Sequence, residues 1–197
     1  MKRQRGRAVI ISAPSGAGKT TIVNYLLSSD LNLEFSVSAT TRPAREGEID
    51  GKDYHFLTVE EFKRKIERKE FLEWEEVYSN RYYGTLKSET ENILKKGRNI
   101  IFDVDVKGGI NLKNYFGTNA LSIFIMPPSV DELKKRLEAR GKDTPADIEK
   151  RVSKALKEME LADQFDLIIV NDRLENALNE AFHAVKSFLE NKTQNHG

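Results

Sequence analysis

The feature that most constrains this chain is the glycine-rich segment at residues 13–20, which reads Ala-Pro-Ser-Gly-Ala-Gly-Lys-Thr. An apolar run at residues 8–11 precedes it, and apolar side chains at helical spacing follow it at residues 22–27. A strand, a glycine-rich turn and a helix in this order aim backbone N–H groups at a polyphosphate. Lys19 adds a mobile positive charge, and Thr20 offers a hydroxyl to Mg²⁺. The segment therefore predicts a site for a nucleoside triphosphate.

The predicted phosphate loop departs from the usual pattern at one position, because Ala13 stands where a glycine is common. A methyl group is tolerated there unless the residue needs a positive φ. The residues expected to hold the triphosphate are Ala13, Pro14, Ser15, Gly16, Ala17, Gly18, Lys19, Thr20 and Thr21. Two alternatives stay open: an ordinary turn between a strand and a helix, or a loop kept by a protein that no longer turns over nucleotide.

Composition limits the other classes of function. A chain of 197 residues is long enough for one well-packed domain. Its 32 basic and 31 acidic residues nearly cancel, so no dominant positive charge indicates a nucleic-acid or membrane partner. The absence of cysteine excludes disulfides, thiolate zinc sites and a catalytic thiol, and it fits a cytoplasmic location.

The pattern along the chain predicts an α/β fold with a parallel sheet flanked by helices. Short apolar runs recur at residues 8–11, 100–102, 121–125 and 167–170, separated by segments rich in helix formers. A further strand is predicted at residues 34–38, where Phe35 and Val37 alternate with polar neighbours. Helix N-caps are predicted at Ser88, Ser129 and Thr144, each followed three residues later by an acidic residue. The last two caps begin two helices that form a hairpin.

Residues 40–87 interrupt this pattern, because aromatic and charged side chains alternate there without a long apolar run. Ligands of parallel sheets bind beyond the carboxyl ends of the strands, so an inserted mixed α/β subdomain here would face the phosphates. We expect a single domain over residues 1–197. Its parts are a core (1–39, 88–127 and 160–197), an acceptor subdomain (40–87) and a helical lid (128–159).

A candidate anion site lies at the start of the insertion. Arg42 and Arg45 are three residues apart, and Pro43 keeps the segment from forming a continuous helix. Tyr54 and Tyr83 add phenolic donors, so the set suits a single terminal phosphate. The alternative is a solvated charged surface.

Carboxylates in apolar surroundings form a second candidate set. Glu73 stands between bulky apolar residues and needs hydrogen-bond donors there. Guanine has two adjacent donors, N1–H and the 2-amino group, whereas adenine has an acceptor at N1. Asp103 and Asp105 end a buried strand on the edge where phosphate and Mg²⁺ would lie. The alternatives are a rim salt bridge for Glu73 and strand-end capping for the aspartates.

The predicted helical hairpin carries a third set. Arg136 and Arg140 are four residues apart on one helix face, and Arg151 lies on the next helix. A hinged pair of helices would carry these guanidiniums over the phosphates. The alternative is a pair of charged helices exposed to solvent.

The ordered set of motifs resembles the guanylate kinase family. The matching segments are residues 12–20, 38–48, 51–54, 71–74, 82–85, 103–105, 136–141 and 169–172. The resemblance implies that Ser38, Glu73, Thr85 and Asp105 hold guanine and that Arg42, Arg45, Tyr54 and Tyr83 hold the phosphate of GMP. It implies that Arg136, Arg140 and Arg151 are lid arginines acting with Lys19, that Asn171 contacts the donor adenine, and that Asp103 supports Mg²⁺ indirectly.

The resemblance implies transfer of the γ-phosphoryl group of ATP to GMP, with Mg²⁺ bound to the donor phosphates. It implies ATP and GMP as partners, and no nucleic acid or membrane. Two alternatives remain: a related kinase with another nucleoside monophosphate as acceptor, and a non-enzymatic interaction module of the same fold. The oligomeric state stays open.

Overall fold

A computed structural model describes residues 5–141 and 144–191. The strands are β1 (Ala8–Ser12), β2 (Leu33–Phe35), β3 (Ala39–Thr40), β4 (His55–Phe56), β5 (Phe71–Tyr78), β6 (Arg81–Leu86), β7 (Asn99–Asp103), β8 (Ala120–Met126) and β9 (Leu167–Val170). The helices are α1 (Lys19–Ser28), α2 (Val59–Glu67), α3 (Lys87–Lys95), α4 (Val106–Phe116), α5 (Val130–Ala139), α6 (Pro145–Met159) and α7 (Leu174–Glu190), with short 3₁₀ turns at Gly117–Asn119 and Ala162–Gln164.

The central sheet has five parallel strands in the order β2-β7-β1-β8-β9. All five residues of β1 are buried, because both faces of the sheet are covered. One face packs against α1 and α7 in the largest apolar cluster. The other face packs against α3 and α4 around Phe102 and Leu112. The predicted parallel sheet flanked by helices is confirmed.

A second, four-stranded sheet has the order β4-β3-β6-β5. It is mixed, since β3 pairs with β4 in parallel and with β6 antiparallel. Helix α2 begins at a capping box on Thr58 and lays Phe62 against this sheet, where the Phe62 and Phe71 rings stack 4.3 Å apart. The predicted mixed α/β insertion is confirmed.

The two helices after β8 pack against each other around a small apolar cluster of their own. Ser129 caps α5 by accepting a hydrogen bond from the Glu132 N–H, as its spacing predicts. Thr144 caps α6 in the same way, with Pro145 in the first turn. The separate cluster gives this pair its own packing, apart from the sheet. No helix among the described residues is long and apolar enough to cross a membrane.

Two local predictions are wrong. Ser88 is not an N-cap, because α3 begins one residue earlier and Leu86 precedes it directly from β6. The Lys87 N–H donates to the Glu70 carbonyl, so the strand pairing holds the start of the helix and no side-chain cap forms. The strand predicted at residues 34–38 covers only Leu33–Phe35, since from Ala39 the chain pairs in the second sheet.

Candidate active site

The segment after β1 forms the phosphate loop that its glycines predict. Gly16 and Gly18 have φ values of 95° and 96°, in the left-handed region that favours glycine. The Ala17 N–H donates to the Pro14 carbonyl at 3.1 Å and closes the turn. Ala13 is buried and lies outside the left-handed region, so its methyl group causes no backbone strain.

Lys19 reaches across the loop to the end of β7. Its Nζ lies 2.6 Å from Asp103 Oδ1 and donates to the Val104 carbonyl at 2.7 Å. Asp103 is therefore ion-paired with the loop lysine. Thr20, which follows Lys19, is exposed. Thr20 and Asp103 thus lie at the same edge of the sheet, as the sequence predicts. The Asp103 carboxylate, however, is paired with Lys19.

A cavity of about 1000 Å³ opens beside this loop. Loop residues and the helical pair line it together, and all three predicted lid arginines are present. The lining residues are Ala13, Pro14, Ser15, Gly16, Gly18, Lys19, Thr20, Thr21, Asp105, Arg136, Arg140, Asp147, Lys150, Arg151, Lys154 and Glu158. Our sequence reasoning missed Asp147, Lys150, Lys154 and Glu158. Their spacing of three and four residues along α6 is the signal that could have found them.

Two of the three arginines reach from the helical pair to other parts of the chain. Arg151 Nη1 donates to Ser15 Oγ at 2.9 Å. Arg136 Nη2 donates to the Asn171 carbonyl at 3.1 Å, and its Nε pairs with Glu132 one turn earlier. Arg140 is exposed on the cavity wall. The helical pair is thereby tied to the phosphate loop through Arg151 and to the residue after β9 through Arg136.

Asn171 holds the phosphate loop from the side of β9. Its side-chain Nδ2 donates to the Ala17 carbonyl at 2.8 Å, and the residue is buried. A Cβ atom on Gly18 would lie 2.3 Å from the same Nδ2, so the close approach requires glycine there. Asn171 is absent from the lining of the large cavity.

The predicted anion site forms around a buried guanidinium. Arg42 donates from both Nη atoms to Glu48, at 2.8 and 2.9 Å. Arg42 also lies over the Tyr54 ring, 5.2 Å from its centroid, and the Tyr83 ring lies edge-on to Tyr54 at 6.1 Å. The Arg45 N–H donates to Glu48, while its side chain is exposed. The cluster therefore brings together the side chains of Arg42, Tyr54 and Tyr83 with Glu48, which was missed, and it includes Arg45 only through its backbone N–H.

Glu48 occupies the position that an anion would take against Arg42. The hydrogen bonds from the Arg42 guanidinium, and to a smaller extent the bond from the Arg45 backbone N–H, lower the pKa of Glu48 to about 2. The sequence signal was available, because Glu48 belongs to the same motif as the two arginines. A two-point carboxylate–guanidinium pair has the geometry with which arginine also binds a phosphate.

Glu73 lies in a half-buried acidic pocket where β5 of the second sheet packs against α4. Its Oε1 accepts a hydrogen bond from Thr85 Oγ1 at 2.6 Å, since the two residues are register partners of β5 and β6. Burial raises the pKa of Glu73 to about 7, against the Thr85 bond that lowers it, and the nearby charge of Asp105 adds to the increase. The pocket therefore offers carboxylate oxygens as hydrogen-bond acceptors, and it suits a ligand that supplies hydrogen-bond donors.

Asp105 forms the other wall of this pocket. It caps α4, with Oδ1 accepting from the Gly108 N–H at 2.8 Å. A Cβ on Gly108 would lie 3.0 Å from a Glu73 oxygen and 3.2 Å from Asp105 Oδ1, so a larger residue there would push both carboxylates by a few tenths of an ångström. Ser38 lies just before β3, where its carbonyl accepts from the His55 N–H.

The acceptor cluster and the phosphate loop meet at the end of β7. Asp103 pairs with Lys19, and its charge also acts on the buried hydroxyl of Tyr54, whose pKa is raised mainly by burial. Asp105, two residues on, lines the large cavity beside the loop. A donor phosphate on the loop and an acceptor on the second sheet would therefore face each other across this strand end.

The fold and this pair of facing pockets define the class: a phosphate-loop α/β protein with room for a second ligand beside the nucleotide phosphates. The model of the guanylate kinase family matches residues 5–192. The chain is 56% identical to a guanylate kinase of Bacteroides thetaiotaomicron over 189 residues, which are 96% of this chain and 93% of that protein. The chain belongs to the guanylate kinase family.

Two further relatives agree. A guanylate kinase of Porphyromonas gingivalis is 52% identical over 184 residues, which are 93% of this chain and 98% of that protein. The crystal structure of guanylate kinase from Anaplasma phagocytophilum superposes with a TM-score of 0.77 at 30% identity, over 96% of this chain and 89% of that one. The resemblance read from the sequence motifs is confirmed.

Proposed function

We propose that this chain transfers the γ-phosphoryl group of ATP to the phosphate of GMP, giving ADP and GDP. The observation that carries the proposal is the half-buried carboxylate of Glu73, which bonds Thr85 and lies near Asp105, a residue that lines the cavity of the phosphate loop. Family membership supports the same activity. The further assignments of residues to substrates rest on the geometry of the two pockets.

The donor half is the 1000 Å³ cavity. The backbone N–H groups of residues 13–20 would hold the phosphates of ATP, with Lys19 beside the γ-phosphate. Arg136, Arg140 and Arg151 would neutralise the charge that spreads over the transferring group. Residues 128–159 would move as the lid that carries them. Asn171 would act on this half by holding the loop at Ala17, and thereby set where the adenine lies.

The acceptor half is built on residues 40–87. Arg42, Arg45, Tyr54 and Tyr83 would bind the GMP phosphate. Because Glu48 now takes both Nη atoms of Arg42, the incoming phosphate would share or displace that pair. Glu48 is thus a group that keeps Arg42 oriented while the acceptor is absent.

Base selection would come from the acidic pocket. The N1–H and 2-amino groups of guanine are adjacent donors that match the Glu73 carboxylate, with Ser38, Thr85 and Asp105 supplying further contacts. Adenine has an acceptor at N1. This nitrogen would face the carboxylate oxygens, which are also acceptors, so no hydrogen bond would form and the two groups would repel each other. A buried polar site that is left unmatched costs several powers of ten in specificity, so the preference for GMP is expected to be sharp.

The chemistry requires little acid or base catalysis, because the acceptor phosphate is already anionic. An oxygen of GMP forms a bond to the γ-phosphorus while the bond from that phosphorus to the β–γ bridging oxygen breaks, and ADP leaves with the electron pair. The protein aligns the two nucleotides and neutralises charge. Closure over both substrates would exclude water, which otherwise competes as acceptor.

The residues present fit a Mg²⁺ ion that is held mainly by substrate phosphates. Mg²⁺ in kinases takes one or two protein oxygens and keeps several waters, and the exposed Thr20 hydroxyl lines the donor cavity. Within residues 5–141 and 144–191, no three acidic or histidine side chains converge into a metal cage. Asp103, paired with Lys19, would act through water. When bound, the ion neutralises charge on the donor phosphates.

The test is the initial rate of ADP formation with ATP, Mg²⁺ and each of GMP, AMP, UMP and dTMP, with the nucleoside diphosphate product identified by chromatography. The proposal predicts a rate with GMP at least about 10³-fold above the others. Equal rates with AMP would remove the guanine assignment. Binding of GMP without turnover would favour the interaction module instead. A cytoplasmic location stays a prediction from the cysteine-free composition.

A further inference from the structure

Glu48 occupies only one of the two edges with which the Arg42 guanidinium can bind an anion. The group has five N–H donors in one plane. Nη1 donates to Glu48 Oε2 at 2.8 Å and to the Pro43 carbonyl at 2.7 Å, and Nη2 donates to Glu48 Oε1 at 2.9 Å. The donors that these bonds leave over are the Nε–H and the second N–H of Nη2. They lie side by side on the other edge, which is a second two-point site for a carboxylate or a phosphate.

The plane of the Arg42 guanidinium is fixed by its surroundings. Its side chain is only 10% exposed, and its central carbon lies 5.2 Å from the ring centroid of Tyr54 and 5.7 Å from that of Phe56. The Arg42 backbone is held as well, because its N–H donates to Thr40 Oγ1 at 3.2 Å. Rings beside the group and a carboxylate on one edge together set the direction in which the Nε–Nη2 edge points.

Glu48 is itself anchored in a closed turn with Arg45. Its Oε2 accepts from the Arg45 N–H at 2.7 Å, and its own N–H donates to the Arg45 carbonyl at 3.1 Å. Gly47 permits this turn with a φ of 84°. A phosphate that displaced the Glu48 carboxylate would break three hydrogen bonds to form two, whereas the Nε–Nη2 edge can be bound without breaking any of them. The geometry therefore favours an anion that shares Arg42 with Glu48.

The Glu48 carboxylate has two opposite effects on an anion bound to Arg42. An arginine side chain has a large rotamer entropy, and fixing it before binding spares the ligand that cost. Against this, a carboxylate repels a phosphate and offsets part of the guanidinium charge. The pair with Arg42 lowers the pKa of Glu48 to about 2, so this negative charge is present at neutral pH. The sign of the net effect separates a group that orients Arg42 from one that only fills its place.

We infer that Glu48 is a positioning residue that stays on the Nη1–Nη2 edge of Arg42 while the phosphate of GMP binds the Nε–Nη2 edge. This inference rests on the proposed function, and it deepens it by deciding that the phosphate shares Arg42 with Glu48 and does not displace it. Removal of Glu48 then weakens the binding of GMP. A carboxylate that only filled the phosphate site would compete with GMP, and its removal would strengthen binding.

The first test compares three variants. Glu48→Ala frees the Arg42 side chain, and we expect the KM for GMP to rise about tenfold, while the KM for ATP stays within about twofold. Glu48→Gln keeps one oxygen acceptor for Arg42, so the rise is about threefold. Glu46→Ala is the matched control, because it removes an exposed negative charge from the same segment, and it leaves both constants unchanged. Melting curves check that each variant is folded.

The second test asks whether Glu48 acts on the phosphate through Arg42. Calorimetric titration of Glu48→Ala should show the Kd for GMP raised about tenfold and the Kd for guanosine, which lacks the phosphate, within about twofold of the unsubstituted protein. A subdomain that had merely lost its packing would bind both ligands more weakly. In an Arg42→Met background, Glu48→Ala is expected to change the Kd for GMP by less than about twofold, because its partner is gone.

Three results would overturn the inference: an unchanged or lower KM for GMP in Glu48→Ala, an equal loss of guanosine and GMP binding, or an undiminished effect of Glu48→Ala in the Arg42→Met background. A crystal structure with GMP in which the phosphate takes both Nη atoms and Glu48 turns away would do the same. If the unsubstituted protein bound GMP without transferring a phosphoryl group, the proposed function would fail, while the Kd series would still decide the role of Glu48. Failure to bind GMP at all would contradict both.

Discussion

Glu73 combines burial, a short bond to Thr85 and two acidic neighbours, Asp105 and Glu75. Such a carboxyl stays protonated to a higher pH in the folded protein than in the unfolded chain. Its pKa changes from 4.5 to about 7 on folding. The folded state therefore binds more protons than the unfolded state between these values, and its stability falls as pH rises through them.

The first prediction follows from this sign. In the absence of nucleotides, the ionisation of Glu73 should lower the free energy of unfolding by up to about 3 kcal/mol between pH 5 and pH 8. Glu73→Gln cannot ionise, so its stability should fall less over that range. Urea unfolding at a series of pH values measures both proteins. Parallel curves would contradict the account.

The second prediction concerns Lys19, whose Nζ lies between Asp103 and the Val104 carbonyl. Lys19→Met removes the mobile charge that follows the γ-phosphoryl group, so kcat should fall by about 100-fold or more. The Kd for GMP should stay within about twofold, because the acceptor cluster is separate. Lys95→Met, on the exposed side of α3, is the control. A normal kcat in Lys19→Met would remove the lysine from its role.

Among single residues, the sequence located the charged groups but not their partners. Lys19, Arg42 and Glu73 were chosen from motif and surroundings, and the structure places them at the two pockets. Glu48 was missed although it stands in the same motif as the two arginines, because the motif does not show that the chain folds back to pair Glu48 with Arg42.

At the scale of elements, the end of β9 and the phosphate loop form one unit. The Asn171 side chain binds the Ala17 carbonyl, and its own carbonyl receives Arg136 of α5. Asn171 thus connects three elements that are far apart in the chain. The bond from the Asn171 side chain to the Ala17 carbonyl also holds the phosphate loop in the turn that the positive φ angles of Gly16 and Gly18 permit.

The third prediction tests this connection. Asn171→Ala leaves a buried carbonyl without its donor, which should cost about 1–3 kcal/mol in the free energy of unfolding. The KM for ATP should rise with it, since the loop loses its support, while the KM for GMP changes little. Asn92→Ala, on an exposed position of α3, is the control. An unchanged KM for ATP would show that the loop holds its shape alone.

Elements with local signals were predictable, and those fixed by distant partners were not. Ser129 and Thr144 cap their helices as expected, because the bond spans only three residues. Ser88 has the same local pattern, yet α3 begins directly after β6, where the Lys87 N–H donates to the Glu70 carbonyl. The two-residue strands β3 and β4 likewise exist only through each other and β6.

At the scale of the whole molecule, three groups of elements have separate apolar clusters. The central sheet has the largest, the second sheet has one around Phe62, and the α5–α6 pair has one around Leu133 and Val152. Units with their own packing can move as bodies, with hinges at the segments between them. Arg151 and Arg136 already reach from the helical pair to the loop region.

The fourth prediction is that the molecule closes over its substrates. With ADP, Mg²⁺ and GMP together, small-angle X-ray scattering should give a smaller radius of gyration than without ligands. GMP alone should close the second sheet only and give an intermediate value. A radius that is the same in all three conditions would count against closure, whatever the catalytic rate.

The parallel central sheet followed from the alternation of apolar runs and helix-forming segments, whereas the order of its strands is known only from the structure. The position of the second sheet relative to the central sheet did not follow from the sequence pattern. The juxtaposition of Glu73 with Asp105 depends on β5 packing against α4, which no local pattern encodes. The family resemblance supplied that link before the structure did.

The most direct test of the central claim is to follow the transferred group itself. The protein is incubated with ATP labelled with ³²P in the γ position, Mg²⁺ and equimolar GMP and AMP, and the products are separated by chromatography. The account predicts that the label appears as the β-phosphate of GDP, with little in ADP or inorganic phosphate. Label found mainly in inorganic phosphate, or shared equally between the two acceptors, would contradict it.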